Sequence, residues 1–356
     1  MNTFPIAPWN ANTASLALDL LRSGQVVAVP TETVYGLAGV AWNSEAVTRI
    51  FAAKQRPSFD PLIAHVPPSW KSLEALAEQG VIDLSHSTLA WRQTVSQLIE
   101  RFWPGPLTLL MPRHHNIVEL ATSGLPQVAV RMPAHRVFQE LLEELQAPLA
   151  APSANRFGRI SPTHAEHVAS ELGDVIPLII DGGASAVGVE STILHCDDDG
   201  LVSCLRLGAY PLEDFTEVLG YAPARVGAQH PKLAPGMLDR HYAPENLLVL
   251  LPDWQAETVE KVLHKWGGER LALLFTGPES VIPEAIATRL KAFGPTSYVL
   301  TPHGHDQEAA RRLFPLLREI DAAAHPLILV ETPRGEHGLW PAIRDRLQRA
   351  ALPASR

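Results

Sequence analysis

Cysteine is almost absent: Cys196 and Cys204 are the only two in 356 residues. Neither a disulfide framework nor a four-cysteine zinc site can be built from them. They flank Asp197-Asp198-Asp199-Gly200, which reads as a hairpin turn across which the two thiols face each other. Reduced, partly buried thiols suit a cytoplasmic protein. Long apolar runs are missing too. None reaches the roughly 18–20 residues a membrane helix needs, and the first dozen residues lack the basic start and apolar stretch of a secretory signal. No membrane contact is expected. Lysine is scarce, with Lys54, Lys71 and Lys232 alone among the first 250 residues. The formal net charge is −9 and the sequence pI about 5.9. A protein that grips nucleic acid needs a basic stripe to neutralise phosphates, so no stable nucleic-acid binding is expected. Walker A and Gly-x-Ser-x-Gly elements are absent, which argues against a P-loop nucleotidase and a serine hydrolase.

What is present is an alternation of strand and helix signals. Residues 25–29 form a short apolar strand after a helix pattern at 13–22. A helix at 44–54 with Ser44 as N-cap follows, then strands at 62–66, 107–111, 128–132, 178–180, 192–196 and 202–207. Helices are expected at 135–146 and 164–172, the second capped by Thr163. This is a mixed, twisted sheet with helices packed on it, one domain over residues 1–210. Five prolines interrupt residues 211–246, read as a linker. A second βα series over 247–356 predicts a smaller, Rossmann-like parallel α/β domain. Its first strand is not followed by Gly-x-Gly-x-x-Gly, so a dinucleotide fingerprint is not supported.

Several segments carry chemistry. Lys54 and Arg56 stand at a helix end before Pro57, beside a strand bearing His65. Cations at a helix C-terminus are ordinary capping residues, but nucleotidyl transfer also needs fixed cations where charge builds on phosphate oxygens. Pro30-Thr31-Glu32-Thr33-Val34-Tyr35-Gly36 follows the first strand and offers groups for a small polar molecule. Two polar, glycine-containing loops follow, at 152–163 and 181–192; such loops let backbone N–H groups approach phosphate, though singly they are also turn-formers. His164/His167 and His303/His305 are paired without an obvious third ligand, so no protein-bound metal site is expected.

Taken together these segments resemble the YrdC-like family of threonylcarbamoyl-AMP synthases in its long, two-domain form. The matching stretches are PTETVYGLA (30–38), KQRP…PLIAH (54–65), WPGPLTLL (103–110), VAVRMPAH (128–135), APSAN (151–155), SPT (161–163), DGG (181–183), GVESTI (188–193) and LRLG (205–208). PGMLDRHYAP (235–244) and GLWPAIRDRLQRAA (338–351) resemble the family's linker and C-terminal signatures. The resemblance implies an enzyme that makes threonylcarbamoyl-AMP and pyrophosphate from L-threonine, bicarbonate and ATP with Mg²⁺, for threonylcarbamoyladenosine modification of tRNA. A downstream threonylcarbamoyl transferase machinery would be its partner. It further implies a signature constellation of Lys54, Arg56, Ser153 and Asn155. ATP contacts would come from Arg56, Asp60, Gln127, Ser153, Ser161, Arg206 and, from a linker reaching over the active site, Tyr242. Threonine contacts would come from Thr33, His65, Arg131, Ala151 and Ser191. The chain departs from the family pattern at four places. Asp60 replaces a frequent asparagine, Gln127 a frequent threonine, Leu238-Asp239 a Lys and an aromatic, and Leu339-Trp340-Pro341 a glycine-rich turn. Two rival readings are a non-catalytic RNA-binding YrdC-like module, which the acidic balance disfavours, and a carbamoyl-adenylate-forming carbamoyltransferase, whose zinc-finger cysteine pairs are missing.

Overall fold

The computed structural model describes residues 6–226, 241–266, 268, 270–278, 280 and 282–351. The chain divides into two compact units, one of Met1–Phe157 with Ser161–Leu238, the other of Gly158–Ile160 with Asp239–Arg356.

Eleven described strands build the sheet of the first unit: β1 (Ile6–Pro8), β2 (Val27–Val29), β3 (Gly36–Val40), β4 (Ile63–His65), β5 (Leu107–Pro112), β6 (Gln127–Arg131), β7 (Leu149–Ala150), β8 (Ile179–Asp181), β9 (Thr192–Cys196), β10 (Val202–Arg206) and β11 (Ala224–Arg225). Their order, β1-β8-β2-β3-β7-β4-β6-β5-β9-β10-β11, mixes parallel and antiparallel neighbours. The middle strands are buried on both faces, Val27, Ala28 and Val29 completely. Helices α1 (Ala11–Arg22), α2 (Ser44–Lys54), α3 (Leu73–Glu78), α4 (Leu89–Phe102), α5 (Arg136–Leu145), α6 (Ala165–Leu172) and α7 (Thr216–Leu219) accompany the sheet. Ala17, Leu18 and Leu21 of α1 join Phe138, Leu141 and Leu142 of α5 in one core cluster with β2. Full burial of each such large side chain is worth about 1.5–3 kcal/mol.

Several expected details differ. Asn43, not Ser44, caps α2: its side-chain oxygen accepts from Glu45 N and Ala46 N at 2.9 and 3.1 Å. Ser44 is already helical, and its carbonyl accepts from Thr48. Thr163 does not cap α6, whose N-cap is His164 with no side-chain cap bond. Cys196 and Cys204 do not face each other, because the β9–β10 register sets Cys196 opposite Val202 and Cys204 opposite Leu194. Both thiols are free and buried. The start of the region read as a linker carries a 3-10 turn (Leu212–Phe215), then α7 and β11, and β11 pairs in parallel with β10, extending the first sheet. Residues 227–240, with Leu238-Asp239 and most of the linker signature, lie outside the described residues.

The second unit carries β12 (Leu247–Leu251), α8 (Ala256–Trp266), β13 (Leu271–Phe275), α9 (Glu284–Lys291), β14 (Thr296–Val299), α10 (Asp306–Ala322), β15 (Leu327–Glu331) and α11 (Trp340–Ala350). Its sheet is wholly parallel, in the order β12-β15-β13-β14. Leu271, Leu327, Ile328 and Leu329 are completely or nearly completely buried, the near-continuous apolar run expected of a parallel sheet covered on both faces.

Candidate active site

Helix α2 ends on Gln55, a left-handed residue with φ of 52°. Its N–H bonds the Ala52 carbonyl and the Arg56 N–H that of Phe51, so the chain turns sharply at the helix end. Lys54 and Arg56 diverge from that turn. The Lys54 ammonium, 1% exposed, donates to the carbonyls of Ser153 and Asn155, both at 2.5 Å. Burial, aided by the Arg56 charge, pushes its pKa well down. The Arg56 guanidinium donates to the carbonyls of Asp60 (3.0 Å) and Pro61 (2.9 Å) and pairs with the Asp60 carboxylate at 2.9 Å. Asp60 therefore does not stand as a bare negative charge. Its carboxylate is committed to Arg56.

The 151–155 loop that Lys54 holds is also stitched to the Thr31–Gly36 segment. Leu37 N–H bonds the Pro152 carbonyl, Ala154 N–H bonds that of Tyr35, and Gly36 bridges Ser153. Tyr35 N–H in turn bonds the Pro162 carbonyl. The Ser153 side chain has no hydrogen-bond partner among the described residues, and Ala151 is buried beside Gly36.

Strands β4, β5 and β6 bring three side chains level, His65 and Thr108 both lying opposite Arg131 in the ladder. The buried Arg131 donates to Thr33 Oγ1 (3.0 Å) and pairs with Glu32 Oε1 at 2.6 Å. His65 is fully enclosed. Desolvation first, and the Arg131 charge second, lower its pKa to about 3. It is a neutral imidazole at physiological pH, with no hydrogen bond at Nδ1.

Ser191 shares a 2.7 Å hydrogen bond with Thr108 Oγ1 and accepts from Arg206 at its hydroxyl (3.0 Å) and carbonyl (2.9 Å). The return of the chain after β10 needs Gly208, where a Cβ would collide with the backbone of Glu190, Ser191 and Thr192. Ser161, completely buried, donates to Glu190 Oε1 at 2.7 Å. Gln127 opens β6 at the end opposite Arg131, four residues or about 13 Å along the strand. Tyr242 belongs to the second unit, where its buried ring lies 5.5 Å from Phe314 and under the Arg346 guanidinium. Glu32, Thr108 and Glu190 partner the expected residues across 99, 83 and 29 positions of sequence, so no local motif announces the pairings. Among the described residues no group of three His, Cys, Asp or Glu side chains can hold a metal ion; His164 and His167 simply pack edge to face at 4.8 Å.

The site is thus two cationic stations joined by one polar loop. Arg131 lies beside threonine hydroxyls and a neutral imidazole, and Arg56 lies at a helix end. A family model described as telomere recombination (Sua5/YciO/YrdC) matches residues 19–208. A second, described as threonylcarbamoyl-AMP synthase, C-terminal domain, matches residues 210–352. The chain belongs to the threonylcarbamoyl-AMP synthase family. A threonylcarbamoyl-AMP synthase of Pyrococcus abyssi is 37% identical over 345 residues, covering 94% of this chain and 93% of that protein. The Bacillus subtilis protein of the same name is 36% identical over 341 residues, covering 94% and 92%. The crystal structure of P. abyssi Sua5 complexed with L-threonine superposes with a TM-score of 0.79 at 34% identity, over 98% of each chain. The chain is an enzyme of this family, with both of the family's domains and the mixed and parallel sheets described above. Among the described residues no helix is long and apolar enough to cross a membrane.

Proposed function

We propose that this chain joins L-threonine, bicarbonate and MgATP into threonylcarbamoyl-AMP and pyrophosphate, with the Arg131 cluster as the threonine station and the Arg56 end as the nucleotide station. The observation that carries the reading is a buried guanidinium flanked by Thr33, Glu32 and a neutral His65, in a chain similar throughout to a protein crystallised with L-threonine. Arg131 takes the substrate carboxylate in a forked pair. With a pKa near 3, His65 is far too weak a base to deprotonate an ammonium, so it serves threonine as a neutral hydrogen-bonding group. Ser191, fixed by Thr108 and Arg206, and the backbone at Ala151 complete this end.

In the proposed reaction the threonine ammonium gives a proton to solvent, the free amine nitrogen bonds the bicarbonate carbon and water leaves, giving a carbamate. A carbamate oxygen then bonds the α-phosphorus as the bond to the β-phosphate bridging oxygen breaks, and pyrophosphate departs. Arg56 stabilises the charge on the phosphate oxygens, with Asp60 fixing its orientation. Lys54 and Asn155 set the loop that presents the Ser153 hydroxyl to phosphate. Ser161 and Gln127 are assigned to the nucleotide, and Arg206 reaches it from its seat on Ser191. Mg²⁺ enters with the triphosphate. The carboxylates nearest these stations, Asp60, Glu32 and Glu190, are engaged by Arg56, Arg131 and Ser161, which favours a metal carried by its substrate over a protein cage. The two free thiols fit a cytoplasmic setting. The product, a labile mixed anhydride, would pass to a threonylcarbamoyl transferase acting on tRNA.

Incubation with ATP, Mg²⁺, bicarbonate and threonine should yield pyrophosphate and threonylcarbamoyl-AMP in equal amounts by mass spectrometry. Pyrophosphate without the adenylate, or neither, would overturn the reading. Serine, lacking one methyl, should remain a poor substrate within about 10–200-fold of threonine, and valine should be rejected more strongly because its hydroxyl partners go unpaired.

A further inference from the structure

The parallel sheet of the second unit has a crevice whose position follows from its topology. Right-handed crossovers from β12 to β13 and from β13 to β14 run one way along the sheet, and the crossover from β14 to β15 runs back. That places α8 and α9, which touch, on one face and α10 and α11, which touch, on the other. β13 and β15 are hydrogen-bonded neighbours whose following segments leave toward opposite faces. Such a reversal opens a gap beyond the strands' carboxyl ends, the place where open α/β sheets bind ligands.

A cavity of about 460 Å³ lies there, lined by the turns after β13, β14 and β15. Its chemistry is specific. Glu331, at the end of β15, is 6% exposed. Its Oε2 accepts from the Thr276 N–H (3.3 Å), from Thr276 Oγ1 (3.1 Å) and from the Ser280 hydroxyl, leaving Oε1 with no donor among the described residues. That oxygen faces the crevice, where it can accept from a hydroxyl or N–H of a ligand. Arg334, in the same wall, is exposed and has no ion pair or hydrogen bond among the described residues. Trp340 supplies a flat apolar wall, its indole packed so closely on Gly335 that any Cβ there would collide with it.

We propose that this crevice binds a nucleoside phosphate. The sugar hydroxyls donate to Glu331, the phosphate pairs with Arg334, and the base lies on Trp340. The volume falls in the range of small-molecule sites and is too large for an amino acid alone. The carboxylate repels a phosphate set beside it, which orients the ligand with its anionic end toward Arg334. Neither threonine recognition nor turnover enters this assignment.

The test is equilibrium dialysis of labelled AMP with the full chain, alongside inorganic phosphate and L-threonine as separate probes. Wild type should show an AMP-binding component that Arg334→Ala weakens at least tenfold and Glu331→Gln also weakens. Because Arg334 is exposed and unpaired, its variant should keep the wild-type melting temperature and the wild-type synthase rate at saturating substrates. Identical AMP binding in wild type and Arg334→Ala would overturn the proposal. So would an Arg334-dependent site that holds phosphate as tightly as AMP, or one that takes threonine instead.

Discussion

On the proposed function, the Arg131–Glu32 pair sets a balance that an arriving threonine would shift. Both groups are buried, and with no substrate present the carboxylate at 2.6 Å is what neutralises the guanidinium. Removing one partner of a buried pair strands the other charge at a cost of roughly 3–5 kcal/mol. Glu32→Gln should therefore melt several degrees lower without ligand. An arriving threonine carboxylate would then restore the missing charge, so its stabilising effect should be larger than in wild type. Thermal shift with and without threonine reads both changes, and an unchanged threonine-induced shift would contradict this arrangement.

His65 has a second consequence at the same scale. Its pKa falls from an ordinary 6.5 to about 3 on folding, so between those values the unfolded chain binds a proton that the folded chain refuses. The contribution of His65 to stability is fully present above about pH 6.5 and is lost as pH falls toward 3, at about 1.4 kcal/mol per pH unit. Denaturant titrations of wild type and His65→Gln from pH 7 to pH 4 should differ by that slope. Parallel curves would show that His65 takes a proton as easily inside as outside.

Among the elements, the turn after α2 is the most exposed to test. Gln55 holds a left-handed conformation that disfavours side chains branched at Cβ. Gln55→Val should cost about 1–2 kcal/mol and, by tilting Arg56, raise the KM for ATP more than that for threonine. A variant with unchanged stability and KM would remove this turn from the account of the site. Element positions were largely legible because their signals are local: apolar periodicity for α1 and α2, alternating βα order for β12 to α11, although the cap of α2 was read one residue late. Helix α4 was not read from the sequence, although Thr88 caps it and Trp91, Val95, Leu98, Ile99 and Phe102 form its buried face. β3 was hidden by Gly36 and Gly39, poor strand formers; Gly39 is small because Ala46 and Ile50 of α2 press on the sheet there. Two-residue β7 gives no period at all. The motif loops pointed to the polar residues now clustered around Arg131 and Arg56, whereas their pairings, Arg131 with Glu32 or Ser191 with Thr108, depend on strand order that no local pattern encodes.

At the scale of the whole molecule, the net charge of −9 predicts that this chain associates only weakly with nucleic acid. Titrating RNA at 50 and 200 mM salt should give only weak association that vanishes at the higher salt; tight, salt-resistant binding would require a basic surface hidden in the acidic total. The large sheet bears on solubility as well. Among the described residues its ends are β1 and β11, of three and two residues. Pro8 in β1 has no N–H to offer, and Arg225 in β11 sets an exposed charge on the other rim. Long unpaired strand edges are templates on which a second chain can add by backbone hydrogen bonding. Eleven strands side by side would be a hazard in a concentrated cell if they ended in such edges. Ending in stubs, one capped by proline and one by a cation, the sheet offers little for another molecule to continue.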